Sequence, residues 1–263
     1  MHILVTNDDG VQAPGILALT QALRQIDGVE VTVLAPDRNW SVSSHAKTLT
    51  RPLRVKEVEL ADGTKALAAD GSPSDCVALA LLGLLEKPVD LVVSGINSNT
   101  NLGHDVVYSG TVAAAMEAAI GGVPGVAVSV DRKPERGWRD YGAAAVVARW
   151  VTEWVIEHGL PDYIVLNVNV PAGELQDFRG LEVTRLGLRL YHDRLEKRID
   201  PYGRPYYWVA GDPPTGVPDE GTDIGAIENG YISVTPLQMD MTAYGLLGEF
   251  AEMEKLWAKT RKR

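Results

Sequence analysis

The 263 residues contain one cysteine, Cys76. An intrachain disulfide is therefore impossible, and a lone cysteine opening the apolar stretch Cys76–Leu85 reads as a small core residue rather than a nucleophile. That stretch is also the longest apolar run, and it falls well short of the roughly 20 residues that span a bilayer, so no membrane partner is expected. Positive charge is in deficit: 25 Lys and Arg against 35 Asp and Glu leave a formal net charge of −10. Such a surface repels a long nucleic acid, so no polymer partner is expected, although a small anion can still bind where a metal ion or a helix N-terminus supplies a local field. Basic residues at the end of the chain (Lys255, Lys259, Arg261, Lys262 and Arg263) read as a solvated helix end. There is no G-x-x-x-x-G-K-[ST] loop and no G-x-G-x-x-G turn, against kinases, NTPases and dinucleotide enzymes, and no His or Cys pair has zinc-ligand spacing. The first residues, Met1-His2-Ile3-Leu4-Val5, enter an apolar strand with neither a basic leader nor a small-residue cleavage site. A soluble, cytoplasmic protein is the expectation.

A hydrophobic content of 45% is enough to bury a full-sized core. Short apolar runs alternate with longer amphipathic or alanine-rich segments, the pattern of a mostly parallel sheet covered on both faces. Strands are expected at His2–Thr6, Val29–Ala35, Val89–Ser94, Val123–Val130 and Tyr163–Val168. Helices are expected at Pro14–Ile26, Ser74–Leu85 with Ser72 as a cap, Gly110–Ile120 and Trp138–His158. After Pro171 the texture changes to short alternating runs such as Leu181–Leu186 and Tyr206–Val209, separated by Pro and Gly clusters including Asp212–Gly216. A further strand at Tyr231–Pro236 and a helix over Ala243–Lys259 complete the chain. The expected class is α/β: a Rossmann-like, doubly wound, mostly parallel core over residues 1–171, then a β-hairpin-rich extension, a returning strand and a terminal helix over 172–263.

Candidate chemistry lies where expected strands end. Asn7-Asp8-Asp9-Gly10 follows the first strand, and ligands of doubly wound sheets bind beyond the carboxyl ends of strands. Gly10 helps the chain turn so that both carboxylates face one ion, and two close carboxylates repel unless a proton or a hard cation intervenes. One aspartate capping the next helix beside a solvated neighbour would look the same in sequence. The second strand leads into Asp37-Arg38-Asn39-Trp40-Ser41-Val42-Ser43-Ser44-His45, and the third into Ser94-Gly95-Ile96-Asn97-Ser98-Asn99-Thr100-Asn101-Leu102-Gly103. Either alone is an ordinary polar loop. Three oxygen-rich loops at one sheet edge make a binding site. Tyr108-Ser109-Gly110-Thr111 opens a helix whose N-terminus, capped by Ser109, can attract phosphate, though any capped helix begins in this way.

Six blocks in order carry a family resemblance: Asn7–Gly10, Ala35–Asn39, Gly71–Cys76, Ser94–Asn97, Tyr108–Thr111 and Ser233–Leu237. Together they resemble the SurE family of stationary-phase survival phosphatases over residues 1 to about 242. The resemblance implies a metal-dependent 5′-nucleotidase acting on nucleoside monophosphates, with polyphosphate hydrolysis in some members. It also implies a homo-oligomer, dimer or tetramer, partly built by exchange of elements. It implies metal ligands at Asp8, Asp9, Ser41 and Asn97, with Ser109, Gly110 and Thr111 near the phosphate. Asn101, Ser44 and His45 are further candidates for substrate contact. Two carboxylates with a hydroxyl and an amide oxygen suit Mg²⁺ or Mn²⁺, with Ca²⁺ also accommodated. The Gly110 and Thr111 amides are then expected on phosphoryl oxygens, with water attacking phosphorus; attack by Asp8 or Asp9 through a phospho-aspartate is the other route. The family often has Gly-Pro where this chain has Asn99-Thr100, and Ser-Gly where it has Ser41-Val42. Lost glycines remove access to positive φ. A nucleotide-sugar transferase and a non-catalytic, metal-dependent nucleotide-binding stress protein are the competing readings.

Overall fold

The first strand, β1 (His2–Thr6), is buried along its whole length and feeds both faces of the core: Ile3 and Val5 join one hydrophobic layer and Leu4 the other. The structure, a computed structural model, describes residues 1–131 and 140–260. Within them a nine-stranded sheet forms around β1 from β2 (Glu30–Pro36), β3 (Val55–Glu59), β4 (Lys65–Ala69), β5 (Leu91–Asn97), β6 (Gly125–Val130), β7 (Ile164–Val170), β8 (Gly180–Val183) and β11 (Tyr231–Gln238). Its order is β3-β4-β2-β1-β5-β6-β7-β11-β8. The strands from β4 to β7 along that order run parallel, whereas β3 and β11 are antiparallel to β4 and β7. Helices α1 (Pro14–Leu23) and α4 (Gly142–His158) cover one face, and α2 (Pro73–Leu79) and α3 (Gly110–Ile120) the other. The fold is therefore doubly wound as expected. Its strand order reverses between β1 and β5, which opens a crevice at their carboxyl ends.

Several expected segments take a different form. β3 and β4 make a hairpin where no elements were expected. Its one local signal was an Asp62-Gly63 turn, in which Gly63 has φ +80°; the strand Val55-Lys56-Glu57-Val58-Glu59 spaces its two valines three apart and shows no alternation. The expected helix Ser74–Leu85 starts one residue earlier, behind a capping box between Ser72 and Asp75. It leaves α geometry after Leu79 and continues as a π turn to Leu84, where Gly83 has φ +100°. Trp138, the expected start of the next helix, lies outside the described residues; α4 begins at Gly142.

Beyond residue 171 the main sheet continues. β11 pairs with β7, and β8 is added to the far side of β11, so the sheet crosses the boundary expected there. Between them in sequence, β9 (Arg189–Ile199) and β10 (Pro205–Gly216) form a separate two-stranded sheet, followed by α5 (Asp223–Glu228). Leu181 and Tyr206 thus belong to different sheets. The Asp212–Gly216 cluster forms the last five residues of β10 instead of separating strands: its prolines fall where the β9–β10 register shifts between Asp212 and Thr215, so no ladder donor is required of them. The expected terminal helix is broken into a 3₁₀ turn at Tyr244–Leu246, α6 (Leu247–Phe250) and α7 (Glu252–Thr260). Every residue from 241 to 260 is exposed. No helix among the described residues is long and apolar enough to cross a membrane.

Candidate active site

Asp8 and Asp9 follow β1 directly and lie at the crevice where the strand order reverses. Asn7 builds their turn: its Nδ2 donates to the Gly10 carbonyl at 3.0 Å, and the Gly10 amide donates back to its Oδ1 at 3.2 Å. Gly10 has φ +101°, and a Cβ there would come 3.1 Å from the Arg38 carbonyl carbon, so the turn requires glycine. Asp8 is 3% exposed and Asp9 half-buried. Burial pushes the Asp8 carboxyl above its ordinary value of 3.8, opposed by the Thr111 hydroxyl and by the Thr111 and Gly110 amides. The Thr111 hydroxyl donates to Asp8 Oδ1 at 2.5 Å. The start of α3 is therefore tied to Asp8 through the Thr111 hydroxyl.

The loop after β2 wraps the same edge. The Trp40 amide donates to the Asp8 carbonyl at 2.7 Å. Asn39, which the sequence did not single out as a site residue, bridges two expected ligands: its Nδ2 donates to Asp9 Oδ1 at 3.3 Å, and its Oδ1 accepts the Ser41 amide at 2.7 Å. Ser41 is exposed. Ser43, also not singled out, has a buried hydroxyl with no protein partner, set 3.1 Å from where a Cβ on Gly110 would sit. Ser44 and His45 are committed to the protein. The Ser44 hydroxyl donates to the Val107 carbonyl at 2.8 Å, and His45 Nε2 lies 2.8 Å from Glu117 Oε2.

Asn97 closes the group from β5 and ends that strand rather than lying in a loop. Between Ser94 and Asn97 the register with β6 slips, three steps on β5 facing two on β6, so a bulge re-aims the strand end. Thr6 of β1 pairs with Ser94, which brings the continuation of β5 level with the aspartates. Asn97 is buried, and its Nδ2 donates to the Asn99 carbonyl at 2.7 Å, so that Oδ1 is the atom of this side chain that could face a cation. Asn101 is a buried strut. Its amide donates to Asn169 Oδ1, its side chain donates to the Ser129 hydroxyl, both at 2.8 Å, and its carbonyl receives Asn167 and Asn169. Ser109 caps α3, its hydroxyl accepting the Val112 amide at 3.1 Å.

Among the described residues no cluster of three or more His, Cys, Asp or Glu side chains could hold a metal. The donors at this edge are instead two carboxylates completed by neutral oxygens, the set for a hard cation, and the buried Asp8 charge gives a cation something to neutralise.

The family model for survival protein SurE matches residues 3–193. A 5′-nucleotidase SurE of Herpetosiphon aurantiacus is 56% identical over 92% of this chain and 94% of its own length. The chain belongs to the SurE family. A 5′-nucleotidase SurE of Chloroflexus aggregans is 53% identical over 97% of this chain and 99% of its own. The crystal structure of the SurE protein from Aquifex aeolicus superposes with a TM-score of 0.81 at 40% identity, over 97% of this chain and all of the other.

The two departures from the SurE pattern now separate. Neither Asn99 nor Thr100 takes positive φ, so that exchange carries no backbone penalty. Val42 does, at φ +60°, as does Ser44 at +55°. A β-branched residue there costs about 1–2 kcal/mol, and Val42 is 77% exposed, so no packing offsets the strain. Val42→Gly is expected to stabilise the folded protein by about 0.5–1 kcal/mol after the extra entropy of glycine in the unfolded chain, read as a shift in the urea midpoint.

Proposed function

We propose that this chain is a divalent-metal-dependent 5′-nucleotidase that hydrolyses nucleoside 5′-monophosphates to nucleoside and phosphate, with Asp8, Asp9, Ser41 and Asn97 as metal ligands. The observation that carries the reading is the Asn39 bridge, which ties Asp9 to Ser41 at the same crevice where α3 holds Asp8. Mg²⁺ or Mn²⁺, with Ca²⁺ also accommodated, would neutralise the carboxylates and polarise the phosphoryl group when bound. The protein's own residues set the geometry for this. The Thr111 hydroxyl fixes Asp8, and Asn39 fixes Asp9. Carboxylates pinned in this way act as ligands rather than as nucleophiles, which favours attack by water. Gly110 keeps space beside Asp8, and the unpartnered Ser43 hydroxyl is free to donate to a phosphoryl oxygen. Ser109, Gly110 and Thr111 border that space. Asn101, Ser44 and His45 support the walls, through Asn101 Nδ2 on Ser129, the Ser44 hydroxyl on the Val107 carbonyl and His45 Nε2 on Glu117.

A non-catalytic nucleotide-binding protein is not favoured, because relatives more than half identical are named as nucleotidases. We further assign oligomerisation to residues 172–263: α6 and α7 leave Leu247, Phe250, Met253 and Trp257 exposed, a stripe that a second copy would cover. A cytoplasmic location accords with a single, fully buried cysteine.

Phosphate release from the four nucleoside 5′-monophosphates and ribose 5-phosphate, measured with Mg²⁺, Mn²⁺ and chelator, tests the reading. Release of phosphate from the nucleotides without any acceptor, lost in chelator, is expected. Nucleotide binding without turnover in every metal would make the protein a binder, and turnover only with an added acceptor would make it a transferase.

A further inference from the structure

Glu117 is a buried carboxylate that the proposed chemistry does not use. Its side chain is 8% exposed, and both of its oxygens are taken by one loop: Oε2 by His45 at 2.8 Å and Oε1 by Lys47 at 2.7 Å. Burying a carboxylate costs several kcal/mol unless partners repay it, so the two contacts are what keep Glu117 ionised in place. The hydrogen bond from His45 first, and that from Lys47 after it, hold its carboxyl below the ordinary value of 4.5 against the desolvation that would raise it. Glu117 stands seven residues after Gly110 on α3, which is two helical turns along the same face and about 10 Å away. The loop from Asn39 to Lys47 therefore lies along one stripe of α3. Its near end meets Asp8, Asp9 and the Gly110 space, and its far end is clipped to Glu117.

Between those ends the loop takes left-handed conformations at Val42 and Ser44, which neither residue favours. Ser43 and Ser44 are tied down there, Ser43 by its amide on the Trp40 carbonyl at 3.1 Å and Ser44 by its amide on the Tyr108 carbonyl at 3.0 Å and its hydroxyl on Val107. A strained segment persists when its ends are over-determined. Ser41, the proposed ligand, and Ser43, whose hydroxyl lies at the Gly110 space, ride on this segment.

We propose that Glu117 is a positioning residue: by seating His45 and Lys47 it holds the Asn39–Lys47 loop in the conformation that presents Ser41 and Ser43 to Asp8 and Asp9. The inference deepens the metal-site reading and rests on it for its consequence in binding, but the loop order itself can be measured with no metal present. Glu117→Gln keeps the shape and removes the charge; Lys47→Met removes one exposed partner and leaves the helix untouched.

In the metal-free protein, hydrogen exchange of the amides of residues 41–45 should accelerate at least tenfold in Glu117→Gln, while β1 and β5 keep their protection. The Mn²⁺ dissociation constant should rise about 10- to 100-fold, the range for residues that orient ligands. Lys47→Met should give a smaller shift of the same sign, and the double variant should do little more than Glu117→Gln alone. Unchanged loop exchange in both single variants overturns the proposal. So does a lower melting temperature with an unaltered Mn²⁺ affinity of the folded protein, which would make Glu117 a buried charge serving stability alone. A His45→Ala variant that raises KM while loop exchange and Mn²⁺ affinity hold would return His45 to the substrate. Should Asp8→Asn and Asp9→Asn leave Mn²⁺ affinity intact, the metal-site reading falls, and accelerated loop exchange in Glu117→Gln would still register the clip.

Discussion

Asp8→Asn lowers kcat by more than about 10²-fold, the scale on which removal of one polar group from an active centre is felt, and leaves a folded protein. Asparagine has the same shape, and its amide oxygen can still accept the Thr111 hydroxyl, so neither packing nor the start of α3 is disturbed. What is lost is the charge. Stability should move the other way. The folded protein holds the Asp8 carboxyl above 3.8, mainly through burial, so the fold disfavours the ionised form. The stability difference this creates is absent at low pH and develops as pH rises from 3.8 through the raised value, at the expense of the wild type. In chelator at neutral pH the variant should therefore melt at or above the wild-type temperature, and the gap should close on acidification. With Mn²⁺ at 100 times its dissociation constant the order should reverse, because the bound ion adds about 2.7 kcal/mol to the wild type. Calorimetric melting with and without Mn²⁺, beside kcat, checks all of this. Retained turnover in saturating metal would remove Asp8 from the site, and a variant less stable than wild type in chelator would contradict the burial argument.

The parts of the fold legible in the sequence were those with one dominant signal. The strand His2–Thr6 carries the apolar run Ile3-Leu4-Val5 because it is buried on both faces, and α3 announces itself by a serine cap and an alanine-rich body. The hairpin of β3 and β4 was not legible because β3 is mostly exposed at the sheet edge, and its three charged residues without a period of two resemble a loop. A hairpin-rich extension was expected after residue 171, and β9 with β10 forms one; the length of its second strand could not be read, since Pro213 and Pro214 normally end a strand and here fill a register shift. At the site, the residue types that supply charge or a cap stood out, but those that act through neutral contacts did not. Asn39 is one more polar residue in a polar loop until its two hydrogen bonds are seen. Glu117 sits within an alanine-rich helix, and nothing in sequence tells a buried glutamate held by residues 70 and 72 positions away from a solvated one. His45 and Asn101 stood out by residue type, but the contacts that His45 Nε2 makes with Glu117 and Asn101 Nδ2 with Ser129 could not be read from sequence.

Gly110→Ala should separate helix physics from site physics. Gly110 is the first residue of α3 and does not require positive φ, so helix propensity alone favours alanine by up to about 1 kcal/mol. The space around it argues the opposite. A Cβ would lie 2.8 Å from Asp8 Cβ, 3.1 Å from Ser43 Oγ and 3.2 Å from Asp8 Oδ2. The Ser43 hydroxyl can rotate away, but Asp8 Cβ is held by a turn closed through Asn7 and by the Thr111 hydroxyl, so the clash must be relieved by shifting Asp8 or the start of α3. Overpacking of this kind costs about 1–3 kcal/mol, more than the propensity gain. A displacement of about 1 Å at a positioned group can cost on the order of 10²-fold in rate. The variant is therefore expected to lose about 1–2 kcal/mol in urea unfolding, to lose about 10²-fold in kcat, and to bind Mn²⁺ more weakly. Each loss follows from the same displacement of Asp8, so they should appear together. A variant that gains stability while keeping full activity would mean that Asp8 yields without consequence, and the carboxylate pinned by α3 would then not be what sets the geometry of this centre.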